Sequence, residues 1–305
     1  MPVQKRRKRR SPPAANPAPA SGRRRVIFWA CGSVLAPLLV GIPAFLQSAS
    51  GTDQARPPGL FQDQRKILYT GRGTIFAVDR DGVLRRFQHT GYENGEKRWS
   101  TPPGVKVGEG WQRYVWLVSG NPGTLYAVDA EGRMFLFDDL SQEMDPDDGK
   151  FVKAGLPEFK SFTGAYDVFY GLREDGGICW FRHLGGAEWT SPDCTLVKTG
   201  MRGYDRLVAT GHGVVFAVTA AGDLRWFRHL NSTLGGSSWE GDHLAPNATG
   251  WSGFLDVTSL NGVVYALDQD YALRWYRYDI PQVYKRGGSG WRGGGPQFPA
   301  TGMTR

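Results

Sequence analysis

The sequence has few of the features that mark enzymes, metalloproteins or helical proteins. No long helical periodicity follows residue 50, which argues against a helical bundle or an α-solenoid. The motifs GxSxG and HExxH and a paired CxxC are absent, so the common hydrolase and zinc signatures are missing. "GSGWRG" at 288–293 fits GxGxxG only formally, and the acidic stretch at 143–150 lacks the ligand order of an EF-hand. We therefore expect no enzyme activity, no metal and no cofactor.

Acidic residues are absent before Asp53, and the N-terminal region differs in composition from the rest of the chain. Residues 1–25 contain nine Lys and Arg around a Pro/Ala-rich stretch, a composition that predicts a disordered tail. Residues 26–46 carry no charge and are long enough to cross a bilayer as one hydrophobic helix. Residues 47–58 are interpreted as a linker.

The hydrophobic segment has two interpretations that the sequence leaves open. Retained, it anchors the protein in a membrane through residues 26–46, with the basic N-terminus in the cytoplasm. Cleaved near Ser50, where small residues have suitable spacing, it is a signal that leads to secretion. Both alternatives place the remainder of the chain outside the cytoplasm.

The net charge of +8 belongs to the tail. Removing its nine cations from 37 basic residues leaves 28, against 29 acidic residues. A nucleic-acid-binding domain is expected to be basic on its folded part, so we expect no nucleic-acid partner.

After residue 58 the chain repeats itself. "GICWFRHL" at 177–184 and "GDLRWFRHL" at 222–230 belong to a series whose five copies open at Gly82, Gly132, Gly176, Gly222 and Tyr271. Each unit of roughly 48 residues holds four short strand-like runs, with turn residues such as "RDG" between the middle two. Four strands per unit in tandem predict an all-β fold, a five-bladed β-propeller over residues 59–302.

Two further features carry structural expectations. Trp180, Trp226 and Trp275 occupy one repeat position and are predicted to pack between blades. Cys179 and Cys194 lie on consecutive predicted strands, where either a disulfide or two separate buried thiols is compatible with the sequence.

The recurring polar loops between a histidine and a tryptophan suggest binding. Trp offers a flat apolar face with a polar edge, which suits the C–H faces and hydroxyl rims of sugars. The loop-closing tryptophans could equally be packing residues. The candidate carbohydrate-binding residues are His89, Trp99, Arg182, His183, Trp189, Arg228, His229 and Trp239.

The units resemble the tachylectin family, because "GW", "YAVD", "DG-x-L" and "W-(F/Y)-R-H" occur in the same order in most copies. This resemblance implies a five-bladed propeller lectin that binds N-acetylated amino sugars on glycans or cell-surface polysaccharide. The second and fifth units depart from the pattern with Asp139 and Tyr278 where His is expected, so binding should be strongest in units one, three and four. The alternative function is an exported scaffold for protein interactions that binds no sugar.

Overall fold

The computed structural model describes residues 64–100, 103–245, 249–278, 291–292 and 297–298, all within one compact unit that spans Gln54–Arg305. The predicted tail, hydrophobic segment and linker at 1–25, 26–46 and 47–58 lie outside these residues. Within the described ranges, no helix has the length and apolar character needed to cross a membrane.

The strands form five antiparallel sheets in chain order. The first blade contains β1 (Gln64–Gly71), β2 (Thr74–Asp79), β3 (Leu84–Gln88) and β4 (Val105–Gly108). The second contains β5 (Tyr114–Ser119), β6 (Leu125–Asp129), β7 (Met134–Phe137) and β8 (Lys150–Lys153). The third contains β9 (Ser161–Ala165), β10 (Val168–Leu172), β11 (Ile178–Gly185), β12 (Glu188–Trp189) and β13 (Thr195–Lys198).

The last two blades follow the same order. The fourth contains β14 (Tyr204–Gly211), β15 (Val214–Thr219), β16 (Leu224–His229) and β17 (Trp239–Leu244). The fifth contains β18 (Phe254–Leu260), β19 (Val263–Asp268), β20 (Leu273–Tyr278), β21 (Trp291–Arg292) and β22 (Gln297–Phe298). Single-turn 3-10 helices lie at Trp111–Arg113, Pro146–Asp148 and Trp251–Gly253. The predicted five-bladed propeller is confirmed.

The first strand of each blade lies innermost, and hydrogen bonds join each inner strand or its hairpin to the next around the ring. Because the inner strands of neighbouring blades do not pair as a sheet, side-chain hydroxyls supply several of these bonds. The bonds run from Ser119 Oγ to Tyr69 O (2.6 Å), Tyr166 N to Gly120 O (2.9 Å), Leu207 N to Ser161 Oγ (2.9 Å), Asn261 N to Thr210 O (2.7 Å) and Tyr69 N to Thr258 Oγ1 (3.0 Å). The last bond joins the fifth blade to the first, so the ring closes.

Closure requires no exchange of strands between blades among the residues that the structure describes. Each sheet is built from one continuous stretch of chain. Asp256 of the fifth blade adds to the closing contact, because its Oδ2 accepts a hydrogen bond from Ile67 N at 2.8 Å. The inner strands surround a central cavity of about 270 Å³.

The turn between the second and third strands explains the repeated "DG" signal. In the first blade Asp79 Oδ1 accepts hydrogen bonds from the amides of Asp81 and Val83 at 3.0 and 2.9 Å. Gly82 has φ 82°, a left-handed conformation that glycine adopts without steric cost. Asp129 and Asp268 accept the same pair of amide bonds in the second and fifth blades.

The apolar core lies between the blades. Alternate residues of the middle strands face opposite neighbours, so both faces of each sheet are covered. Trp180, Trp226 and Trp275 are all buried, which confirms their predicted packing between blades.

Cys179 and Cys194 form a disulfide, with their Cα atoms 5.0 Å apart. The outer strand of the third blade is split into β12 and β13, which both pair with β11. The bond therefore fastens the β13 end of this split strand to the strand inside it.

Candidate functional site

The repeated histidine lies at the end of the third strand, between its own blade and the preceding one. In the fourth blade, His229 is buried and ends β16. Its Nδ1 lies 3.1 Å from the hydroxyl of Tyr170, which is on β10 of the third blade. Its Nε2 donates to the carbonyl of Gly236, in the loop that follows β16. One imidazole thus ties a loop to its own blade and to the blade before it.

The same arrangement occurs twice more. His89 Nδ1 lies 2.6 Å from the hydroxyl of Tyr265 on the fifth blade, and its Nε2 lies 2.7 Å from Glu96 O. His183 Nδ1 lies 2.7 Å from the hydroxyl of Tyr126 on the second blade, and its Nε2 lies 3.0 Å from Gly186 O. We call each Tyr–His pair with its loop carbonyl a latch.

The latch tyrosine of one blade and the latch histidine of the next blade occur together at three interfaces, and at the other two both are replaced. Where the preceding blade has Phe76, the histidine position holds Asp139. Where it has Phe216, the position holds Tyr278, and the two rings meet edge to face at 5.3 Å. Sequence reasoning missed this pairing, although the alternation of Tyr and Phe six residues before each opening residue of the repeat was visible.

The loop-closing tryptophans stack on the latch histidines. Ring centroids are 4.7 Å apart for His89–Trp99, 4.7 Å for His183–Trp189 and 4.6 Å for His229–Trp239. The indole N–H of Trp189 donates to Val152 O at 3.0 Å, and that of Trp239 donates to Val197 O at 2.9 Å, so both side chains reach the outer strand of the preceding blade.

A lysine from that outer strand adds a cation–π contact. Lys153 Nζ lies 5.6 Å from the Trp189 ring centroid, and Lys198 Nζ lies 5.7 Å from the Trp239 ring centroid. Each of these tryptophans therefore packs against both a histidine and a lysine, and this packing limits the ring surface left for a ligand.

Two loops have the same length and the same anchors. The first-blade loop (90–98) and the fourth-blade loop (230–238) each connect a latch histidine to its tryptophan. Thr90 N donates to Arg98 O at 2.8 Å in the first, and Leu230 N donates to Ser238 O at 2.9 Å in the second. Each loop then makes a tight turn, in which Gly95 N donates to Gly91 O (2.8 Å) and Gly235 N donates to Asn231 O (3.0 Å).

Both loops lie on a tryptophan of the preceding blade. Trp180 Nε1 donates to Ser232 O at 2.8 Å, and Trp275 Nε1 donates to Tyr92 O at 2.9 Å. Arg182 Nη1 also donates to Thr233 O at 2.9 Å. We call the inter-blade surface at the fourth-blade loop the 3/4 cleft and that at the first-blade loop the 5/1 cleft.

A glycine allows this close approach. Gly235 has φ 72°, and a Cβ atom added to it would lie 2.6 Å from the Trp180 ring. Gly95 has φ 78° and the corresponding distance to Trp275 is 2.5 Å. Any other residue at these positions would be strained and would also push the loop away from the indole.

The other described interfaces are built differently. The third-blade loop is short, running from Leu184 to Glu188, and Leu136 of the second blade occupies the position of the anchoring tryptophan. At the 1/2 interface that position holds Arg86, whose Nη1 donates to Leu140 O at 2.6 Å. The described residues thus include two clefts with a long loop seated on an indole.

Of the eight predicted site residues, the structure places His89 and Trp99 at the 5/1 cleft and Arg182, His229 and Trp239 at the 3/4 cleft. His183 and Trp189 lie instead at the interface between the second and third blades, and most of the eight are engaged in packing. The three histidines are buried, with both ring nitrogens bonded. Arg228 Nη1 lies 3.3 Å from Glu240 Oε1, and Arg182 holds a loop carbonyl. Their contact with sugar stays a prediction, and the geometry assigns these residues first to holding the loops.

The loop residues that face solvent were not singled out from the sequence. They are polar or aliphatic, and they include Glu93, Asn94, Glu96, Asn231, Thr233 and Leu234. Leu234 is 76% exposed, the largest value among the large hydrophobic residues that the structure describes. Because these residues do not repeat between the two loops, no periodic signal identifies them.

Burial sets the ionisation of the latches. It lowers the pKa of His89 and of His229, which favours neutral imidazoles. It also raises the pKa of Tyr170 and of Tyr126, and the Asp167 carboxylate raises that of Tyr126 further. No cluster of His, Cys, Asp or Glu suited to a metal ion occurs in the described ranges.

The architecture defines a class: a five-bladed β-propeller whose blades carry loops that overlap the preceding blade. A family model described as Tachylectin matches residues 51–165 and 147–293. The chain belongs to the tachylectin family, as the repeat predicted. A search of curated proteins finds no significant match.

Similarity to solved structures is low. Prp20p from Saccharomyces cerevisiae has 13% identity and a TM-score of 0.36, with 68% of this chain and 56% of Prp20p covered. The WD40 β-propeller domain of Doa1 has 12% identity and a TM-score of 0.34, with coverage of 71% and 65%. PorZ of Porphyromonas gingivalis has 11% identity and a TM-score of 0.36, with coverage of 72% and 37%. The chain spans about half the length of Prp20p, and TM-scores this low carry no argument about function.

Proposed function

We propose that this protein is a lectin that binds saccharides in the 5/1 and 3/4 clefts. Membership of the tachylectin family supports carbohydrate binding in general. The proposed location of the sites rests on two loops that have the same geometry. Trp180 and Trp275 make the same indole-to-carbonyl hydrogen bond to these loops. Repeated construction of an overlapping loop, beyond what the core needs, is expected of a binding site.

The clefts offer the chemistry that a sugar needs. Exposed Thr233, Asn231 and Asn94 can exchange hydrogen bonds with hydroxyl and acetamido groups. Leu234 supplies an exposed apolar surface against which a sugar C–H face or an acetyl methyl group can pack. We propose N-acetylated amino sugars on glycans or cell-surface polysaccharide as the ligand class.

Two sites on one rigid ring would gain avidity on a polymeric glycan whose spacing lets both engage. The location that we propose, outside the cytoplasm with residues 26–46 as a membrane anchor or a cleaved signal, would expose the clefts to such polymers. Binding of this kind needs no chemical step, in agreement with our expectation that the protein is not an enzyme.

Calorimetry of the full chain with an N-acetylated amino sugar tests this function. We expect about two sites per chain rather than five. No heat with any saccharide tried would contradict the lectin function and favour an interaction scaffold.

A pair of glycine variants tests the location. Gly235→Ala should remove the site in the 3/4 cleft, since the new Cβ meets the Trp180 ring. Gly155→Ala is the matched control: Gly155 has φ 70°, close to the 72° of Gly235, but nothing lies within 4 Å of its added Cβ. Equal saccharide binding by the two variants would place the site elsewhere.

A further inference from the structure

The latches of the third and fourth blades differ by one carboxylate. Asp167 Oδ1 lies 3.0 Å from the hydroxyl of Tyr126, the tyrosine that bonds His183. Its Oδ2 accepts a hydrogen bond from Asn121 Nδ2. The corresponding position in the fourth blade is Gly213, which has no side chain. The two latches are otherwise built from the same groups.

Counting protons shows that His229 is neutral in its latch. Its Nε2 faces the carbonyl of Gly236, which only accepts, so this nitrogen carries a hydrogen. Its Nδ1 then accepts the single hydrogen of the Tyr170 hydroxyl. A proton added to Nδ1 would displace that hydrogen, and the described residues offer the Tyr170 hydroxyl no second acceptor.

The hydrogen bonds around His183 require a different protonation state. The carboxylate of Asp167 is the stronger acceptor and takes the Tyr126 hydroxyl hydrogen. The phenolic oxygen must then accept from Nδ1, while Nε2 donates to Gly186 O. Every bond in this latch is satisfied only when both ring nitrogens carry a hydrogen, which makes His183 a cation.

The two imidazoles also share several neighbours. Each ring stacks on a tryptophan that a lysine contacts as well, Lys198 for His229 and Lys153 for His183; Lys153 in addition lies near Asp193. Next along the chain lie Arg228, paired with Glu240, and Arg182, bonded to a loop carbonyl.

More distant charges also surround the two latches. Asp138, on the blade that carries Tyr126, is paired with Lys150. Near His229, the backbone N–H of His229 donates to the carbonyl of Gly213. His212, in the same hairpin as Gly213, is exposed. Among the described residues, Asp167 is the carboxylate that bonds a latch tyrosine directly.

We infer that the fourth-blade loop is held by a neutral histidine and is released by acid, whereas the third-blade loop is held by a histidine that already carries its proton. Acid adds a cation at His229, where the described residues place no carboxylate in contact with the Tyr170–His229 pair. Breaking the latch frees the 231–236 turn, which then leaves Trp180. If the 3/4 cleft binds saccharide, a step that rests on the proposed function, the protein releases its ligand there when the pH falls.

Imidazole ¹⁵N spectra of the full chain test the proton count without any saccharide. At about pH 7.5 we expect His183 to carry hydrogen on both nitrogens and His229 on Nε2 alone. Finding His183 neutral, or the two rings titrating together, would overturn the proposal. His183→Gln and His229→Gln assign the two signals, and the wild-type spectra stand even where a variant fails to fold.

Hydrogen exchange tests the mechanical consequence. Between about pH 7.5 and pH 5, corrected for intrinsic rates, protection in the fourth-blade loop should fall at least about tenfold, while protection around His183 should hold. His229→Gln, which presents an amide donor and acceptor but cannot titrate, should make the fourth-blade loop insensitive to pH. Equal pH dependence in wild type and this variant would contradict the inference.

Replacing the carboxylate converts one latch into the other. Asp167→Gly reproduces the residue found in the fourth blade and suits the φ of 58° at this position. The His183 imidazole should then carry hydrogen on Nε2 alone at about pH 7.5, as His229 does, because the carboxylate that takes the Tyr126 hydroxyl hydrogen is gone. Unchanged ¹⁵N signals of His183 in this variant would contradict the role of Asp167.

Saccharide titrations at the same two pH values separate this proposal from the proposed function. Affinity at the 3/4 cleft should fall at least about fivefold at the lower pH, the size of a typical coupling. No binding at either pH, with the rings titrating as expected, would contradict the lectin function and support the acid-sensitive latch.

Discussion

The interface between the third and fourth blades and that between the first and second occupy equivalent places in the ring but are held by different chemistry. At the 3/4 interface, Tyr170 bonds His229 and Trp180 supports a long loop. At the 1/2 interface, Phe76 replaces the tyrosine and lies in an apolar cluster with Phe137 and Met144. The comparison shows that the core positions make the propeller, while additional polar groups hold the loops that form clefts.

The largest effect is expected at the tryptophan under the loop. Trp180→Ala should lower the free energy of unfolding by about 3–5 kcal/mol, because it removes a buried ring and its bond to Ser232. Leu136→Ala, at the same position of the second blade and half-buried, should cost less. Denaturant titration measures both, and a cost for Trp180→Ala no larger than that of Leu136→Ala would contradict the account.

A similar cost of about 3–5 kcal/mol is expected for Trp226→Ala. This ring is buried in the cluster between the fourth and fifth blades. A variant as stable as wild type in the same titration would show that the ring does not support that interface.

The outer strands offer a second comparison. The fourth blade has a continuous outer strand, β17, whereas the split outer strand of the third blade is fastened by Cys179–Cys194. The bridge spans a sequence separation of 15, so its removal should cost about 3 kcal/mol in the chain-entropy model. Cys179→Ala with Cys194→Ala, compared with wild type in thermal unfolding, measures this. If reductant destabilised the double variant as much as wild type, the bridge would not be the cause.

Removing the Tyr170 hydroxyl should make the 3/4 interface resemble the interfaces that have no latch. Tyr170→Phe leaves the buried Nδ1 of His229 without its donor and should cost about 1–3 kcal/mol. Tyr204→Phe is the control, since that half-buried hydroxyl lies 3.2 Å from the exposed Asp242. The two changes are measured by chemical denaturation, and repeating Tyr170→Phe in a His229→Gln background isolates the pair. Equal costs for the two hydroxyls would argue against a latch.

The smallest effect is a dependence of stability on pH. Burial lowers the pKa of His229, so the unfolded chain binds its proton more readily. The contribution of His229 is therefore complete above about pH 6.5 and declines as the pH falls from there through the lowered value. The difference in unfolding free energy between wild type and His229→Gln across this window reports it. A difference that grew as the pH fell would reverse the predicted sign.

The repeat was sufficient to predict the fold, because blade geometry depends on periodic core positions such as Trp180, Trp226 and Trp275. The latches and clefts were harder to predict. A histidine followed by a tryptophan looks the same in sequence whether it contacts sugar or a neighbouring blade, and the decision depends on Tyr170, which belongs to the preceding unit. An aspartate occurs at the position of Asp167 in one blade only, and the other blades have glycine there. The repeat pattern therefore could not identify Asp167 as a latch residue. Whether Cys179 and Cys194 form a disulfide could not be decided from the sequence, because pairing depends on a distance that spacing alone does not fix.

The most direct test of the two-cleft account is a map of backbone amide shifts in the full chain during titration with an N-acetylated amino sugar. The account predicts changes concentrated in residues 92–98 and 231–238 and in the strands that carry Trp275 and Trp180. Changes centred on the inner strands, or repeated equally at every described inter-blade groove, would contradict it.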